Sequence, residues 1–148
     1  ASIISSEILS NFVFHNSNIT FLYKKSDLDV ADLMSRCRAF VYAGLEDFGI
    51  APVEALASGA PVIAYGKGGI LDTVNCLNNP KKEKVSNGLL FKKQTPEDIY
   101  DTVSWFEDKK VWKEFDSETL KQLPYFLNLS QNVEEKVMEL YWIWELTT

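Results

Sequence analysis

The sequence predicts an α/β domain: a parallel sheet with helices on both faces, followed by C-terminal helices. Two observations carry this. Apolar runs alternate with helical patterns in the order strand, helix, strand, helix. The strand runs RAFVYA (38–43), PVIAY (61–65) and LLFK (89–92) are continuous rather than alternating. Continuous runs mark strands buried on both faces, as in parallel sheets.

The elements follow in order. NITFLYK (18–24) mixes β-branched and aromatic residues and reads as a short first strand. SDLDVADLMSRC reads as a helix, with Ser26 as cap and Asp29 completing something close to a capping box. Leu28, Ala31, Leu33 and Met34 supply its apolar side. RAFVYA is the next strand and GLEDFG (44–49) the loop after it. Residues 50 to 58 read as a helix that is apolar almost all round, so a core helix. Gly59 ends it in a left-handed conformation and Pro61 prevents its continuation. PVIAY is a buried strand, GKGG (66–69) a glycine-rich turn and ILDTVNCL (70–77) a short helix. NNPKKEKVSNG (78–88) reads as a polar loop closing on an Asn-Gly turn. After LLFK, Thr95 caps a helix with Pro96 at its first position and acids in its first turn, TPEDIYDTVSWFED. Two or three further helices complete the chain, the last near NVEEKVMELYWIWEL.

The chain has 148 residues, enough for a single core, so one domain over 1–148 is expected. Its net charge of −6 argues against a nucleic-acid partner, which would normally meet a basic surface. Lys81, Lys82, Lys84, Lys92 and Lys93 read as solvated rather than as a polyanion site. Cys37 and Cys76 make neither a metal signature nor a disulfide framework, which fits a reducing, cytoplasmic setting. No apolar run approaches a membrane span, and the start ASIISSEIL has no basic n-region.

In parallel α/β sheets ligands bind at the carboxyl ends of the strands, where the helices start. GLEDFG and GKGG both lie there. Amides near Gly49, Ile50 and Ala51 would point out unpaired, with the positive end of a helix dipole behind them. Gly68 and Gly69 would do the same next door. Two adjacent anion-accepting loops suit a diphosphate. Glu54 sits one turn inside the apolar helix and Glu46 in the loop before it. A carboxylate accepts hydrogen bonds from sugar hydroxyls. Amides for phosphates and carboxylates for hydroxyls point to a nucleotide carrying a sugar. The plainer alternatives are dipole compensation for Glu46 and Asp47, and a solvent-facing position for Glu54. Asp27-Leu28-Asp29 has the form of a metal-binding Asp-x-Asp, but at a helix start capping is the expected role. Trp105, Trp112, Trp142 and Trp144 read as core packing, and His15 as a lone surface residue.

FVYAGLEDFGIAPVEALASGAPVIAYGKGGILDTV (40–74) resembles the donor-binding region of the retaining, GT-B-fold glycosyltransferases of family four. It is especially similar to the mannosyltransferases that build bacterial O-antigens and exopolysaccharides. Glu46, Phe48, Gly49 and Glu54 match that family's motif of two glutamates separated by seven residues, with Phe-Gly between. NITFLYKKSDLDVADLMSRCRAFVYA resembles the segment before it and GLLFKKQTPEDIYDTVSWF the segment after it, so the likeness covers roughly residues 18 to 108.

The resemblance implies a Rossmann-like sheet, part of a GT-B C-terminal domain. It implies Glu46 as the catalytic residue, holding the donor hexose with the amides of Phe48 and Gly49. It places the diphosphate at Ile50 and the Lys67, Gly68, Gly69 turn, the ribose on Glu54, and the base near Leu22 and Tyr23. The reaction implied is retaining transfer of a hexose, mannose by the likeness, to a glycan or lipid-linked acceptor in polysaccharide biosynthesis. The donor would be a nucleotide sugar such as GDP-mannose or UDP-hexose, with no metal in the site and no cofactor. The setting implied is cytoplasmic, at the inner face of the plasma membrane, with membrane contact made only through other parts of the protein. In the resembling fold Tyr141, Trp142 and Trp144 would dock on an N-terminal domain.

The chain departs from the family pattern in places. The family usually has Gly at Tyr23, Pro at Ala43 and Glu at Asp72. It also carries an Arg and a Lys that clamp the diphosphate, which nothing here matches. On this reading the first strands and the acceptor domain precede Ala1. The 148-residue piece alone would then be inactive, with an open sheet edge prone to self-association. Other classes stay open at this point: a non-catalytic sugar-nucleotide-binding module, or a nucleotide-sugar epimerase or phosphorylase of the same fold.

Overall fold

The computed structural model describes residues 20, 22, 24–45, 47, 49–77 and 85–126, with side chains to 123. The chain divides into two compact units, residues 1–30 and 31–148.

Helix α1 (Asp27–Arg36) starts as the sequence predicts. The Asp29 amide donates to Ser26 Oγ at 3.2 Å, and the Ser26 amide donates to Asp29 Oδ2 at 3.3 Å. That reciprocal pair is a capping box, with Asp in place of the usual Glu. The expected first strand is a different matter. Thr20, Leu22 and Lys24 lie outside any strand, and Leu22 is 51% exposed. Phe21 and Tyr23 lie outside the described residues. Strand propensity needs a neighbouring strand to be realised.

Strands β1 (Phe40–Tyr42), β2 (Val62–Tyr65) and β3 (Gly88–Phe91) form a parallel sheet in the order β1-β2-β3. Phe40 pairs with Val62, and Val62 with Gly88. β2 is central and buried along its whole length, which explains its unbroken apolar run. Its residues alternate between two cores. Val62 and Ala64 pack with Met34 of α1, Ala55 and Leu56 of α2 (Ile50–Ala57), and Leu120 of α5 (Ser117–Phe126). Ile63 and Tyr65 pack with Leu89 and Phe91, with Phe106 of α4 (Pro96–Asp108), and with Val111 of a 3-10 turn (Val111–Glu114). Helices therefore cover both faces. The expected α/β architecture is the one observed. Among the described residues β1 has one neighbouring strand, and Val41 is exposed.

α2 ends as predicted. Gly59 has φ +90°, its amide donates to Leu56 O, and the Ala60 amide donates to Ala55 O, both at 2.9 Å. This is a Schellman stop. Two readings need correction. The helix predicted over 70–77 is a single turn, α3 (Ile70–Thr73). The Asn-Gly pair at 87–88 is not a turn but the entry to β3. One residue causes both. Asn87, 1% exposed, donates from Nδ2 to Thr73 O at 2.9 Å and accepts the Asn75 amide on Oδ1 at 2.7 Å. Its side chain takes the backbone groups that would otherwise continue the helix. The segment that follows α3 runs alongside β3 instead. Cys76 bridges Gly88, and the Leu77 amide donates to Gly88 O at 2.9 Å.

α4 carries its predicted cap: Thr95 Oγ1 accepts the Asp98 amide at 3.3 Å, with Pro96 at the first position. α5 is capped by Asp116, whose Oδ2 accepts the Thr119 amide at 2.8 Å and its hydroxyl at 2.6 Å. Arg38 bonds Glu107 at 2.7 Å and lies over the Trp112 ring, tying the start of β1 to α4 and the 3-10 turn. The predicted helix near 132–146, with Trp142 and Trp144, lies outside the described residues, as do His15 and Lys81, Lys82 and Lys84.

Three aspartates are held below the usual carboxylate range by hydrogen bonds. Asp29 is held by the side chain and then the amide of Ser26. Asp98 is held by the amides of Lys93 and Lys92. Asp116 is held by the hydroxyl and then the amide of Thr119. A depressed folded-state pKa stabilises the fold above the unfolded value, near 3.9, and that gain is lost as pH falls through the folded value. Melting temperature is therefore expected to stay level down to about pH 5 and to fall below about pH 4. Thermal melts across pH check this. Asp98→Asn should flatten the acid limb, and an unchanged limb would remove Asp98 from the account.

Candidate functional site

Because the strands are parallel, the segments after β1, β2 and β3 all emerge at one end of the sheet. The first runs from Ala43 to Gly49. Glu46 and Phe48 lie outside the described residues, while Leu45 and Asp47 are exposed. Gly49 is buried and left-handed, with φ 78° and ψ 66°. An L side chain is strained in that conformation, so glycine suits the place where the chain turns into α2.

α2 has no side-chain cap and no acid in its first turn. Of the four leading positions, Pro52 has no N–H. The amides of Gly49, Ile50 and Ala51 remain as donors without intrahelical partners. The dipole compensation that Asp47 could have supplied does not take the form of a cap.

The second segment, Gly66 to Gly69, follows β2. The Gly66 amide extends the ladder to Phe91 O at 2.9 Å, and the Lys67 amide folds back to Tyr65 O at 2.8 Å. Gly68 has φ +71°. The Leu71 and Asp72 amides are taken by Gly68 O and Gly69 O, at 3.2 and 3.0 Å. Among the described residues the amides of Gly68, Gly69 and Ile70 have no backbone acceptor. The Lys67 ammonium is 5.8 Å from the centre of the Tyr65 ring, and the residue is exposed.

The two helix starts are neighbours. A Cβ built on Gly49 would stand 3.4 Å from Cδ1 of the buried Ile70. The two glycine-bearing loops thus lie side by side on adjacent strands, as the sequence predicts. Their amides are donors at one strand-end rim.

Glu54 corrects the sequence reading. α2 is not buried all round: Pro52, Ala55 and Leu56 face the core, while Glu54 and Ala57 are exposed. Glu54 stands one helical turn after Ile50, on the turn that follows Ile50 and Ala51. Those two residues carry free amides. Asp72 is exposed on α3. Leu22, expected near a base, is exposed outside any strand, and Tyr23 lies outside the described residues. Asp29 of the Asp-Leu-Asp triplet is engaged in capping. Among the described residues no three or more His, Cys, Asp or Glu gather as metal ligands, and no helix is long and apolar enough to cross a membrane.

The third segment, Lys92 to Thr95, reads from sequence only as two solvated lysines and a helix cap. Asp98 Oδ2 accepts both the Lys92 and the Lys93 amides at 2.7 Å, and Gln94 Nε2 donates to Ala43 O at 2.7 Å. In sequence Asp98 shows only as an acid in a first turn, and Gln94 shows no signal.

In parallel α/β domains ligands bind at the strand-end rim where the helices start. The chain is a member of the glycosyl transferases group 1 family, whose model matches residues 10–123. It is 33% identical over 101 residues to the glycogen synthase of Mycoplasma mobile, covering 64% of this chain and 21% of that protein. It is 35% identical over 83 residues to the alpha-1,3/1,6-mannosyltransferase ALG2 of Saccharomyces cerevisiae, covering 55% of this chain and 16% of that protein. The chain thus spans about a fifth or less of the length of these relatives. Sucrose-phosphate synthase from Thermosynechococcus elongatus has a similar fold, with a TM-score of 0.66 at 18% identity, over 96% of this chain and 35% of that one.

Proposed function

We propose that the chain is the nucleotide-sugar-binding part of a retaining hexosyltransferase. The observation that supports this most is the pair of adjacent, uncapped helix starts, with Glu54 exposed one turn inside the first of them. Membership of the group 1 family supports sugar transfer, and likeness to a mannosyltransferase supports mannose as the transferred hexose. The acceptor is a glycan or a lipid-linked sugar, and the role is in polysaccharide assembly at the cytoplasmic side of a membrane.

In this reading the donor diphosphate lies against the amides of Ile50, Gly68 and Gly69, with Lys67 beside them. Glu54 accepts the ribose hydroxyls. Glu46 and the amides of Phe48 and Gly49 hold the hexose. As the anomeric C–O bond breaks, negative charge gathers on the departing diphosphate. Donors already aimed at that position favour the transition state over the ground state. The acceptor hydroxyl forms its bond on the face the diphosphate leaves and gives its proton to that departing diphosphate, so configuration is retained. The amides and Lys67 carry the charge compensation in this scheme, with no metal assigned a part.

Titration of the full-length protein with GDP and with UDP tests it. Hydrogen bonds to a charged group contribute about 1.5–3 kcal/mol, so Glu54→Ala should weaken the preferred nucleotide roughly ten- to a hundredfold. Equal binding by parent and variant would remove Glu54 from the ribose.

A further inference from the structure

We infer that Gln94 is a positioning residue for transfer, holding the root of the loop that carries Glu46. The inference rests on the donor-site reading above. Gln94 follows β3 and Ala43 follows β1, yet Gln94 Nε2 donates to Ala43 O at 2.7 Å. The sheet order is β1-β2-β3, so the bond spans the end of β2. It ties the two outer strand-end segments across the one between them.

Ala43 is the first residue after β1, and the loop that leads to Gly49 starts there. Among the described residues β1 is held by one neighbouring strand. The bond fixes Ala43 O at the point where the chain leaves β1.

The donor of the tether is itself fixed. Asp98 Oδ2 draws in the Lys92 and Lys93 amides, each at 2.7 Å. The Thr95 amide donates to Lys93 O at 2.8 Å, and Thr95 Oγ1 caps the Asp98 amide. Gln94 therefore stands on a turn bonded on both sides, anchored in the first turn of α4. α4 in turn packs on the sheet through Phe106. Rigid support of this kind is what keeps a reacting group within the narrow geometry that transfer requires.

Gln94 and Ala43 are both exposed, so the bond adds little to global stability. Its loss should be felt in turnover rather than in folding. Gln94→Glu keeps the shape and removes the N–H; Gln94→Lys restores a donor on a side chain of similar reach. In the full-length protein, turnover of GDP-mannose and UDP-glucose is followed as release of nucleoside diphosphate. Gln94→Glu should lower kcat about tenfold, with KM and melting temperature near parental values, and Gln94→Lys should recover most of the loss. A parental kcat in Gln94→Glu overturns the inference alone. So does a loss that tracks a fall in melting temperature and is not restored by lysine. A parent that neither turns over donor nor binds GDP or UDP overturns the donor-site reading and this inference with it.

Discussion

Gly88→Ala is expected to unfold the domain or to bring it close to unfolding. Gly88 opens β3 beside Val62 of the central strand. A methyl group there would overlap the Val62 carbonyl oxygen and stand 3.0 Å from both its carbonyl carbon and Val74 Cγ1. The obstacle is backbone in a ladder, not the tip of a side chain that can rotate away. β2 is buried on both faces, so it cannot retreat without disturbing both cores. Overpacking of this kind costs on the order of 3 kcal/mol or more, against a total margin of about 5–15 kcal/mol. Urea unfolding followed by far-UV circular dichroism measures it. A midpoint equal to that of the parent would show that β2 and β3 part more easily than their packing implies.

Glu46→Ala should give the largest loss of activity, on the order of a hundredfold or more in turnover. The proposed site divides its labour. Amides and Glu54 hold the nucleotide, while Glu46 acts on the hexose, the part that reacts. Removing a group that acts on the reacting sugar lowers kcat and kcat/KM together. GDP or UDP carries no hexose, so its binding should stay within about twofold of the parent. Steady-state kinetics with GDP-mannose and UDP-glucose, paired with nucleotide titrations, separate the two effects. If Glu46→Ala lost nucleotide affinity as severely as turnover, Glu46 would belong with the diphosphate or ribose instead.

Much of the fold could be read from local chemistry. Ser26, Gly59 and Thr95 announce helix ends through capping rules, and each does what its rule says. The run Val62–Tyr65 announces a strand buried on both faces, and it is the central one. What could not be read depends on partners distant in sequence. Asn87 is a turn former in isolation; only its bonds to Thr73 and Asn75 make it the residue that stops α3 and starts β3. Thr20 and Leu22 have strand propensity, but propensity does not supply a neighbour. At the site, the two glycine-bearing helix starts were legible because glycine at a strand end has a local meaning. Glu54 was legible as exceptional but not as exposed, because composition shows how apolar a helix is and not which flank meets the core. The Gln94 bond spans 51 residues and leaves no pattern in the chain.

The pairing around Asn87 also bears on how this chain can vary. The Asn87 amide donates to Asn75 O at 3.0 Å, and the Leu77 amide donates to Gly88 O. Together with the Asn87 side chain these bonds form a clasp that closes the chain at both ends of the intervening stretch. The clasp sets where β3 begins. The register of the sheet at β3 therefore depends on one buried side chain and not on strand propensity alone, so position 87 is where the sheet can least absorb change over evolution.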